Sequence, residues 1–324
     1  MRKINFYKFL FKWPARARDA ERMPFYAAKL WRILHKKSPA GSKHPFLSVS
    51  PLFPDLIHEK FRPNLRDLFV ISDMESTGNI LAIDIGGSHI KCTILNPKGE
   101  WQMDYKRVDT PIAAKPSDVI STIKELVKGM PDYEKISVGF PGYVRNGIIY
   151  TAPNLGNLNW KNIDLGQQIS DMLQRPVRLV NDADQLGLGV VSGKGYEVAV
   201  TLGTGFGTAF LIDGYLLPHM ELAHHPIHKD MDYDEYVGAK ELKEEGKEKW
   251  NKRMSRVLEV LKIVFNYDRL YIGGGSSEKL TIPLEENMHL FTNKDGIKGG
   301  AKLWELEDKY HISTNYPKGW MGRR

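Results

Sequence analysis

The stretch that decides the fold runs from Ile80 to Leu95 and reads I-L-A-I-D-I-G-G-S-H-I-K-C-T-I-L. An apolar run carrying one acid, Asp84, meets a Gly86-Gly87 turn, and apolar residues then alternate with polar ones. This pattern predicts a β-hairpin with a glycine turn at its tip. Successive amides in such a turn suit an anion, and a carboxylate beside that anion needs a cation such as Mg²⁺. The stretch therefore predicts either a site for phosphate and Mg²⁺ or a buried hairpin without a ligand.

Composition limits the classes of protein to which this chain can belong. It has 324 residues, 42% hydrophobic and 26% charged, which suggests either two globular domains or one large one. It contains no apolar stretch of the length that spans a bilayer. Its one cysteine, Cys92, excludes a disulfide within the chain and a multi-cysteine zinc site. We expect a cytoplasmic globular protein.

The basic character of the chain is confined to residues 1–75. This segment has 15 Lys and Arg against 7 Asp and Glu, together with 7 prolines, whereas the remainder is close to neutral. Its aromatic and basic pieces can form amphipathic helices suited to a polyanionic surface, either a membrane or polyphosphate. Alternatively, residues 1–75 contain a targeting peptide, or they are an extension upstream of a natural start at Met74. We expect an accessory or partly disordered extension.

The rest of the chain alternates between helical and strand patterns. Apolar residues at helical spacing predict helices over 117–129 and 253–265. Further helices are expected over 165–174, over 183–192 where Asn181-Asp182 could cap it, and over 296–303 as a closing helix. Short apolar runs predict strands over 135–140, 148–151, 177–180, 197–202, 209–212 and 269–272. Ser117 and Asp164 are expected to cap their helices. Strands alternating with helices are typical of an α/β protein.

Two further glycine clusters follow predicted strands. Gly203, Gly205 and Gly207 lie in L-G-T-G-F-G-T-A between two strands, which repeats the design of the first hairpin. Their spacing, and the strand that follows, differ from the G-x-G-x-x-G dinucleotide motif. The cluster Gly273–Gly275 suits close contact with a nucleotide or a tight helix entry. Two strand–turn–strand units predict two facing phosphate clamps.

Asn181 and Asp182 end another predicted strand. Open α/β sheets place ligands at this edge, and the same residue types also cap helices. The pair therefore serves either a ligand or the cap of the helix over 183–192.

Seven segments, in order, resemble the sugar kinases of the ROK family (repressors, open reading frames, kinases), within the actin/hexokinase-like ATPase superfamily. The segments are A-I-D-I-G-G-S-H-I-K, V-G-F-P-G-Y-V, T-A-P-N-L, V-N-D-A-D, L-G-T-G-F-G-T-A, P-H-M-E-L-A-H-H and Y-I-G-G-G-S-S, and they span about residues 78–305. Within the family, the chain looks most like the polyphosphate glucokinases. The resemblance implies an α/β protein with the two-domain actin-like ATPase (ribonuclease H-like duplicated) fold. We expect domains over 76–180 and 181–305, preceded by the basic extension and followed by a tail over 306–324.

The resemblance also implies roles for individual residues. Asp182 matches the catalytic base, and Asp84 would hold Mg²⁺ through water. The donor phosphates or nucleotide would meet Asp84, Gly86, Gly87, Ser88, Lys91, Gly203, Thr204, Gly205, Gly207, Gly273, Gly274 and Gly275. The sugar would meet Asn154, Asn181, Asp182, Glu221, His224 and Asp234. For the last position Glu235 is the alternative, because the match is ambiguous by one residue.

One departure from the family concerns zinc. Many members carry a structural zinc on one His and three Cys, and this chain lacks the cysteines. His224, His225, His228 and nearby acids could ligate another metal, but Pro226 interrupts any helical spacing. We expect no structural zinc and a loop that faces the sugar, as in the polyphosphate glucokinases.

These residues suit phosphoryl transfer, in which the protein mainly positions the reactants and stabilises charge. A carboxylate orients the acceptor hydroxyl and takes its proton. We expect a homodimeric glucokinase that uses Mg²⁺ and transfers phosphate from polyphosphate, ATP or both to the 6-hydroxyl of glucose, with no nucleic acid partner.

Two alternatives remain for the function. One is a kinase for another hexose, either mannose or an N-acetylhexosamine. The other is a sugar-sensing transcriptional repressor, although 7 prolines within residues 1–75 suit a compact helix-turn-helix poorly. The donor is also open, because four lysines form either a polyphosphate track or a solvated helix face. These are Lys240, Lys243, Lys247 and Lys249.

Overall fold

The computed structural model describes residues 78–112 and 114–321, so the predicted extension over residues 1–75 lies outside it. The strands in this part of the chain are β1 (Ile80–Ile85), β2 (His89–Leu95), β3 (Lys106–Asp109), β4 (Lys135–Phe140), β5 (Val144–Arg145), β6 (Ile148–Ile149), β7 (Ile163–Asp164), β8 (Val177–Asn181), β9 (Tyr196–Leu202), β10 (Phe206–Ile212), β11 (Tyr215–Leu216), β12 (Pro226–His228), β13 (Met231–Asp232), β14 (Arg269–Gly273), β15 (Met288–Leu290) and β16 (Thr314–Asn315). The α-helices are α1 (Pro116–Leu126), α2 (Leu165–Leu173), α3 (Asp182–Val190), α4 (Tyr233–Val237), α5 (Ala239–Phe265), α6 (Asn293–Gly296) and α7 (Gly299–Lys302).

Two sheets carry the fold, and they share one strand order. The first runs β3-β2-β1-β4-β8, with β16 added beyond β8, and the second runs β11-β10-β9-β14-β15. In each sheet the first three strands are antiparallel, and the next two are parallel to the third. The same order and directions, occurring twice, confirm the predicted duplicated, actin-like α/β fold.

Each sheet buries an apolar core under helices. Val119 and Ile123 of α1 and Ile169 of α2 pack into the core of the first sheet. The second half of α5 packs on the second sheet through Met254 and Leu261. A third apolar cluster contains residues of α3, of the second sheet and of the segment after α7. The two predicted hairpins therefore stand on separately packed sheets, and α3 packs between them.

Several predicted boundaries need correction. The first helix begins at Pro116, and the residue before it, Lys115, makes no side-chain cap, so the prediction that Ser117 is the cap is wrong. Proline at the first helical position sets this start, because its ring fixes φ and it has no amide to satisfy. The helix predicted over 253–265 begins at Ala239, with a break at Gly246, where φ is +79°. Its charged first half has no apolar stripe to reveal it.

Other boundaries differ by smaller amounts. Asp164 caps α2 as predicted, and its carboxylate accepts the amide of Gln167 at 3.0 Å. The strand predicted over 148–151 is two residues long, and the strand predicted from 209 begins at Phe206. The closing helix is two short helices, α6 and α7. No helix in the described part of the chain is long and apolar enough to cross a bilayer.

The segment described from sequence as a tail contributes to the first sheet, because β16 pairs with β8. Arg178 of β8 fixes this segment. Its guanidinium donates to the carbonyls of Leu303 and Leu306, to the Asp308 carboxylate and to the Thr314 hydroxyl. The predicted division of the chain into domains stays a prediction.

We expect Arg178→Leu to lower the free energy of unfolding by about 2–4 kcal/mol, because several buried acceptors lose their donor together. Urea denaturation monitored by circular dichroism measures this. Lys318→Ala is the control, because that lysine also forms an ion pair, with Asp171 at 3.5 Å, but its side chain is 85% exposed. Its effect should stay within about 0.5 kcal/mol. Equal losses in the two variants would contradict the role given to Arg178.

Candidate functional site

A cleft opens where the glycine turn between β1 and β2 and the turn between β9 and β10 meet the start of α3. The predicted residues that line it are Asp84, Gly86, Gly87, Lys91, Asn154, Asn181, Asp182, Gly203, Thr204, Gly205, Gly207, Glu221, His224, Asp234, Gly274 and Gly275. Two predicted residues do not line it. Ser88 is exposed at the hairpin tip, and Gly273 ends β14 with the Phe291 ring against its Cα. The structure thus brings residues predicted from seven separate segments into one place.

Asp84 and Lys91 face each other across the first hairpin. They are directly opposite in the β1–β2 ladder, and the Lys91 Nζ lies 3.4 Å from the Asp84 Oδ2. Burial raises the pKa of Asp84, and the charge of Lys91 offsets part of this effect. A carboxylate and an ammonium beside a glycine turn can hold a cation and a phosphate side by side.

Asp182 is the first residue of α3, at the carboxyl end of β8. Its Oδ1 accepts the amide of Ala183 at 2.9 Å. Burial raises the pKa of Asp182 to about 7, with a further contribution from the charge of Asp84. A carboxyl group with a pKa near neutrality is suited to accept a proton from a hydroxyl at physiological pH.

Asn181 serves as the helix cap that the sequence offered as an alternative. Its Oδ1 accepts the amides of Ala183 and Asp184 at 2.8 and 3.3 Å, and its Nδ2 donates to the Gly142 carbonyl at 3.1 Å. A further contact joins Nδ2 to the Phe140 carbonyl at 3.4 Å. Since the protein uses every hydrogen-bonding position of this amide, a direct contact with a sugar would have to break one of them.

Glu221 and His224 approach the cleft from the segment after β11. The Glu221 Oε1 accepts the Thr151 hydroxyl at 3.4 Å, and the His224 Nδ1 lies 3.4 Å from the Asp232 Oδ2. Burial alone would raise the pKa of Glu221, but the neighbouring His219 more than offsets it and the pKa is lowered. Glu221 therefore presents a charged carboxylate to the cleft.

Asp234 lines the cleft, and its neighbour Glu235 does not. The Asp234 Oδ1 accepts the amide of Phe206 at 2.6 Å, which ties α4 to the second glycine turn. Glu235 is exposed and completes a capping box with Asp232. A Cβ on Gly205 would lie 2.5 Å from Asp234 Oδ1, so only glycine permits this approach. The geometry favours Asp234 over Glu235 as the residue that faces the site.

The third glycine cluster joins the cleft through Gly274 and Gly275. Gly274 has a φ of +88°, and a Cβ there would lie 2.4 Å from the Leu202 carbonyl oxygen. The amide of Ser276 donates to the same oxygen at 2.9 Å. Leu186 and Asn293 also line the cleft.

We expect Gly274→Ala to lower the free energy of unfolding by about 1–3 kcal/mol, because alanine is strained at this φ and meets the Leu202 carbonyl. Gly275→Ala is the matched control, since a Cβ there has no atom within 4 Å. Chemical denaturation of both variants measures the difference. A Gly275→Ala loss as large as that of Gly274→Ala would contradict this explanation.

Sequence reasoning missed several lining residues, among them Thr201, Leu186, Ala223 and Asn293. Thr201 could have been found, because it lies opposite Gly207 once β9 and β10 are paired. Leu186 and Asn293 carry no such signal, since only the packing of α3 and α6 brings them to the cleft. The histidine-rich loop packs beside tyrosine rings. His225 and His228 pack near the rings of Tyr233 and Tyr236, and the described residues contain no cluster of three or more His, Cys, Asp or Glu that could hold a metal ion.

Comparison with known proteins agrees with this geometry. Residues 80–238 match the model of the ROK family. The polyphosphate glucokinase of Mycobacterium tuberculosis (strain CDC 1551 / Oshkosh) is 33% identical over 235 residues, which are 68% of this chain and 88% of that protein. The structure of an inorganic polyphosphate/ATP-glucomannokinase from Arthrobacter sp. strain KM aligns with a TM-score of 0.63 and 29% identity, over 69% of this chain and 97% of that one. A ROK family glucokinase from Streptomyces griseus, in complex with glucose and AMPPNP, shares the fold, with a TM-score of 0.57 and 18% identity over 70% and 99% of the two chains.

Proposed function

This chain belongs to the ROK family, and on that premise we propose that it is a glucokinase. It transfers a phosphoryl group from polyphosphate, ATP or both to the 6-hydroxyl of glucose. The observation that carries the proposal is the position of Asp182, whose pKa is raised to about 7, in one cleft with two glycine turns. The 33% identity to a protein named polyphosphate glucokinase supports the choice of acceptor.

The acceptor side is formed by charged and polar groups. Glu221 and His224 complement sugar hydroxyls, each of which offers both a donor and acceptors. The Asn154 side chain borders the same space. In this arrangement Asp182 hydrogen bonds the 6-hydroxyl, orients its oxygen toward the donor and takes its proton as the new bond to phosphorus forms and the bond between that phosphorus and the leaving ADP or shortened polyphosphate breaks. Catalysis then rests on position and charge rather than on a covalent intermediate.

The donor side is formed by the glycine turns. Amides around Gly86 and Gly205 bind phosphate oxygens, and Lys91 adds a positive charge. Asp84 lies close enough to Asp182 for its charge to raise the pKa of Asp182. Because two carboxylates that repel each other in a site of low solvent access attract a cation, the Asp84 carboxylate fits Mg²⁺. Asp84 would hold the ion, which neutralises charge on the donor phosphates.

The choice of donor is the finer part of the proposal. Leu186 and Asn293, which line the cleft together with Gly274, suit the base of a nucleotide and favour use of ATP. The polyphosphate track expected on α5 has a competing interpretation, because Lys249 forms an ion pair with Glu245 four residues earlier. We propose ATP as one donor and polyphosphate as the second. A homodimer, and contact of residues 1–75 with a polyanion, complete the proposal.

Initial rates for each pair of acceptor and donor test this proposal. The purified full chain is supplied with Mg²⁺, either ATP or polyphosphate, and glucose, mannose or N-acetylglucosamine. We expect transfer to glucose from at least one donor, with kcat/KM at least about tenfold above that for N-acetylglucosamine, because one mismatched group in a binding pocket costs about that much. Faster transfer to mannose or N-acetylglucosamine than to glucose would make that sugar, rather than glucose, the acceptor. Transfer to none of the three sugars from either donor would contradict the proposal that the protein is a hexose kinase.

A further inference from the structure

His219, which the proposed reaction does not use, lies buried beside the cleft between two carboxylates. Its side chain is 3% exposed, and that of Asp184 is 1% exposed. The His219 Nδ1 lies 3.1 Å from Asp184 Oδ2, and its Nε2 lies 3.8 Å from Glu221 Oε1. The ring of Tyr143 stacks on the imidazole with an interplanar angle of 19°.

This arrangement favours the protonated state of the imidazole. A neutral imidazole has one N–H and one lone pair, so one of its nitrogens would turn a lone pair toward a carboxylate. Only the imidazolium carries an N–H on both nitrogens and so faces both acids with a proton. An ionised Asp184 at 1% exposure also needs a cation, since an unpaired buried charge is strongly destabilising.

We propose that His219 is a positioning residue, held as an imidazolium by Asp184, that fixes the carboxylate of Glu221 in the cleft. The inference rests on the proposed function, because it assigns Glu221 to the acceptor. Asp184 follows the base Asp182 by two residues on α3, so one helix start carries both the base and the group that anchors Glu221. His219 therefore fixes the position of Glu221, the proposed contact to the acceptor, relative to the base Asp182.

The other groups around His219 agree with this assignment. Burial by itself would lower the pKa of His219, but the charges of Asp184 and Glu221 raise it to about 10. On the far side of Asp184 lies His311, with its Nε2 3.8 Å from the Asp184 Oδ2. Burial lowers the pKa of His311, and the charge of His219 lowers it further, so His311 is neutral. The charge of His219 also acts to lower the pKa of Asp182.

Two amide substitutions at His219 test its contact with Asp184 and its contact with Glu221 separately. The amide nitrogen of asparagine reaches about as far from the backbone as Nδ1 does, and that of glutamine about as far as Nε2. His219→Asn therefore keeps a donor toward Asp184 and loses the one toward Glu221, whereas His219→Gln does the reverse. Both variants lose the positive charge, so each is the control of the other.

We expect His219→Asn to raise the KM for glucose at least about tenfold and His219→Gln to raise it less than about threefold, because only the asparagine variant removes the polar group that faces the Glu221 carboxylate, 3.8 Å away in the wild type. The KM for the donor should stay within about twofold in both. Urea denaturation of each variant reports the structural cost. Equal values of the KM for glucose in the two variants, whatever their stability, would overturn the inference.

A measurement on the wild type does not depend on activity or on variants that fold. In ¹⁵N-labelled protein, we expect both ring nitrogens of His219 to stay protonated from pH 6 to about 9, consistent with its raised pKa, and the Nε2 signal to shift in Glu221→Gln. A neutral ring, or an Nε2 signal unaffected by Glu221→Gln, would overturn the inference. If the ring is protonated but the wild type phosphorylates no hexose, the proposed function fails and the ion pair stands.

Discussion

Replacement of Asp182 by asparagine is expected to lower kcat for glucose phosphorylation by about 10²–10⁴-fold, the usual contribution of a positioned general base. Asparagine has nearly the same shape, and its Oδ1 can still accept the Ala183 amide, which lies 2.9 Å from Oδ1 in the wild type. It cannot take a proton from the acceptor hydroxyl. Steady-state rates at saturating glucose and donor measure the loss.

Asp118→Asn is the matched control, because Asp118 is also an acid in the first turn of a helix but does not line the cleft. Asp118→Asn should leave kcat within about twofold of the wild type, since a surface substitution away from the cleft has a small effect. Circular dichroism and glucose binding by calorimetry verify that Asp182→Asn remains folded. If Asp182→Asn retains kcat within tenfold of the wild type while Asp118→Asn is normal, Asp182 is not the base.

The second large expected effect is a strong dependence of kcat/KM for glucose on pH. A base works only when it is deprotonated, and burial together with the charge of Asp84 raises the pKa of Asp182 to about 7. We therefore expect kcat/KM for glucose to rise with pH, to level off above about 7, and to fall about tenfold per pH unit below it. At pH 5 the rate should be about a hundredfold below the plateau.

Rates are measured from pH 5 to 8.5 in buffers of constant ionic strength, with saturating donor. Neither His219 nor Glu221 accounts for such a slope, because the pKa of His219 is raised to about 10 and that of Glu221 is lowered. A rate that is flat from pH 5 to 8.5 would show that Asp182 keeps an ordinary carboxyl pKa and would contradict the electrostatics described for the cleft.

Local patterns in the sequence predicted the glycine turns and the Asn181-Asp182 pair of the cleft, because these parts are local, whereas Asn154, Glu221, His224 and Asp234 came from the resemblance to a family. A glycine turn between two strands is encoded by adjacent residues, and β4 (Lys135–Phe140) has the predicted bounds because an apolar run ends at Pro141-Gly142. The resemblance to a family added the roles that patterns alone leave open. For Asn181 the sequence offered a ligand contact or a helix cap, and the structure shows the cap.

Features that depend on distant residues could not be predicted in this way. His219 gains its importance from Asp184, 35 positions earlier, and neither residue has a periodic signal. Strand β16 is two residues long, and its attachment depends on Arg178. The first half of α5 is rich in Lys and Glu, so no apolar stripe marked its start at Ala239. Each of these features is set by tertiary packing or by a buried charge.

The most direct test of the central claim is to identify the product by ¹H–³¹P correlation NMR. The full chain is incubated with glucose, Mg²⁺ and either ATP or polyphosphate, and Asp182→Asn is run beside it. We predict a phosphate monoester on the oxygen of carbon 6, formed by the wild type and absent with Asp182→Asn on the same timescale. Release of free phosphate without a sugar ester, or an ester at another position, would contradict the assignment of this cleft as a glucose 6-phosphotransferase site.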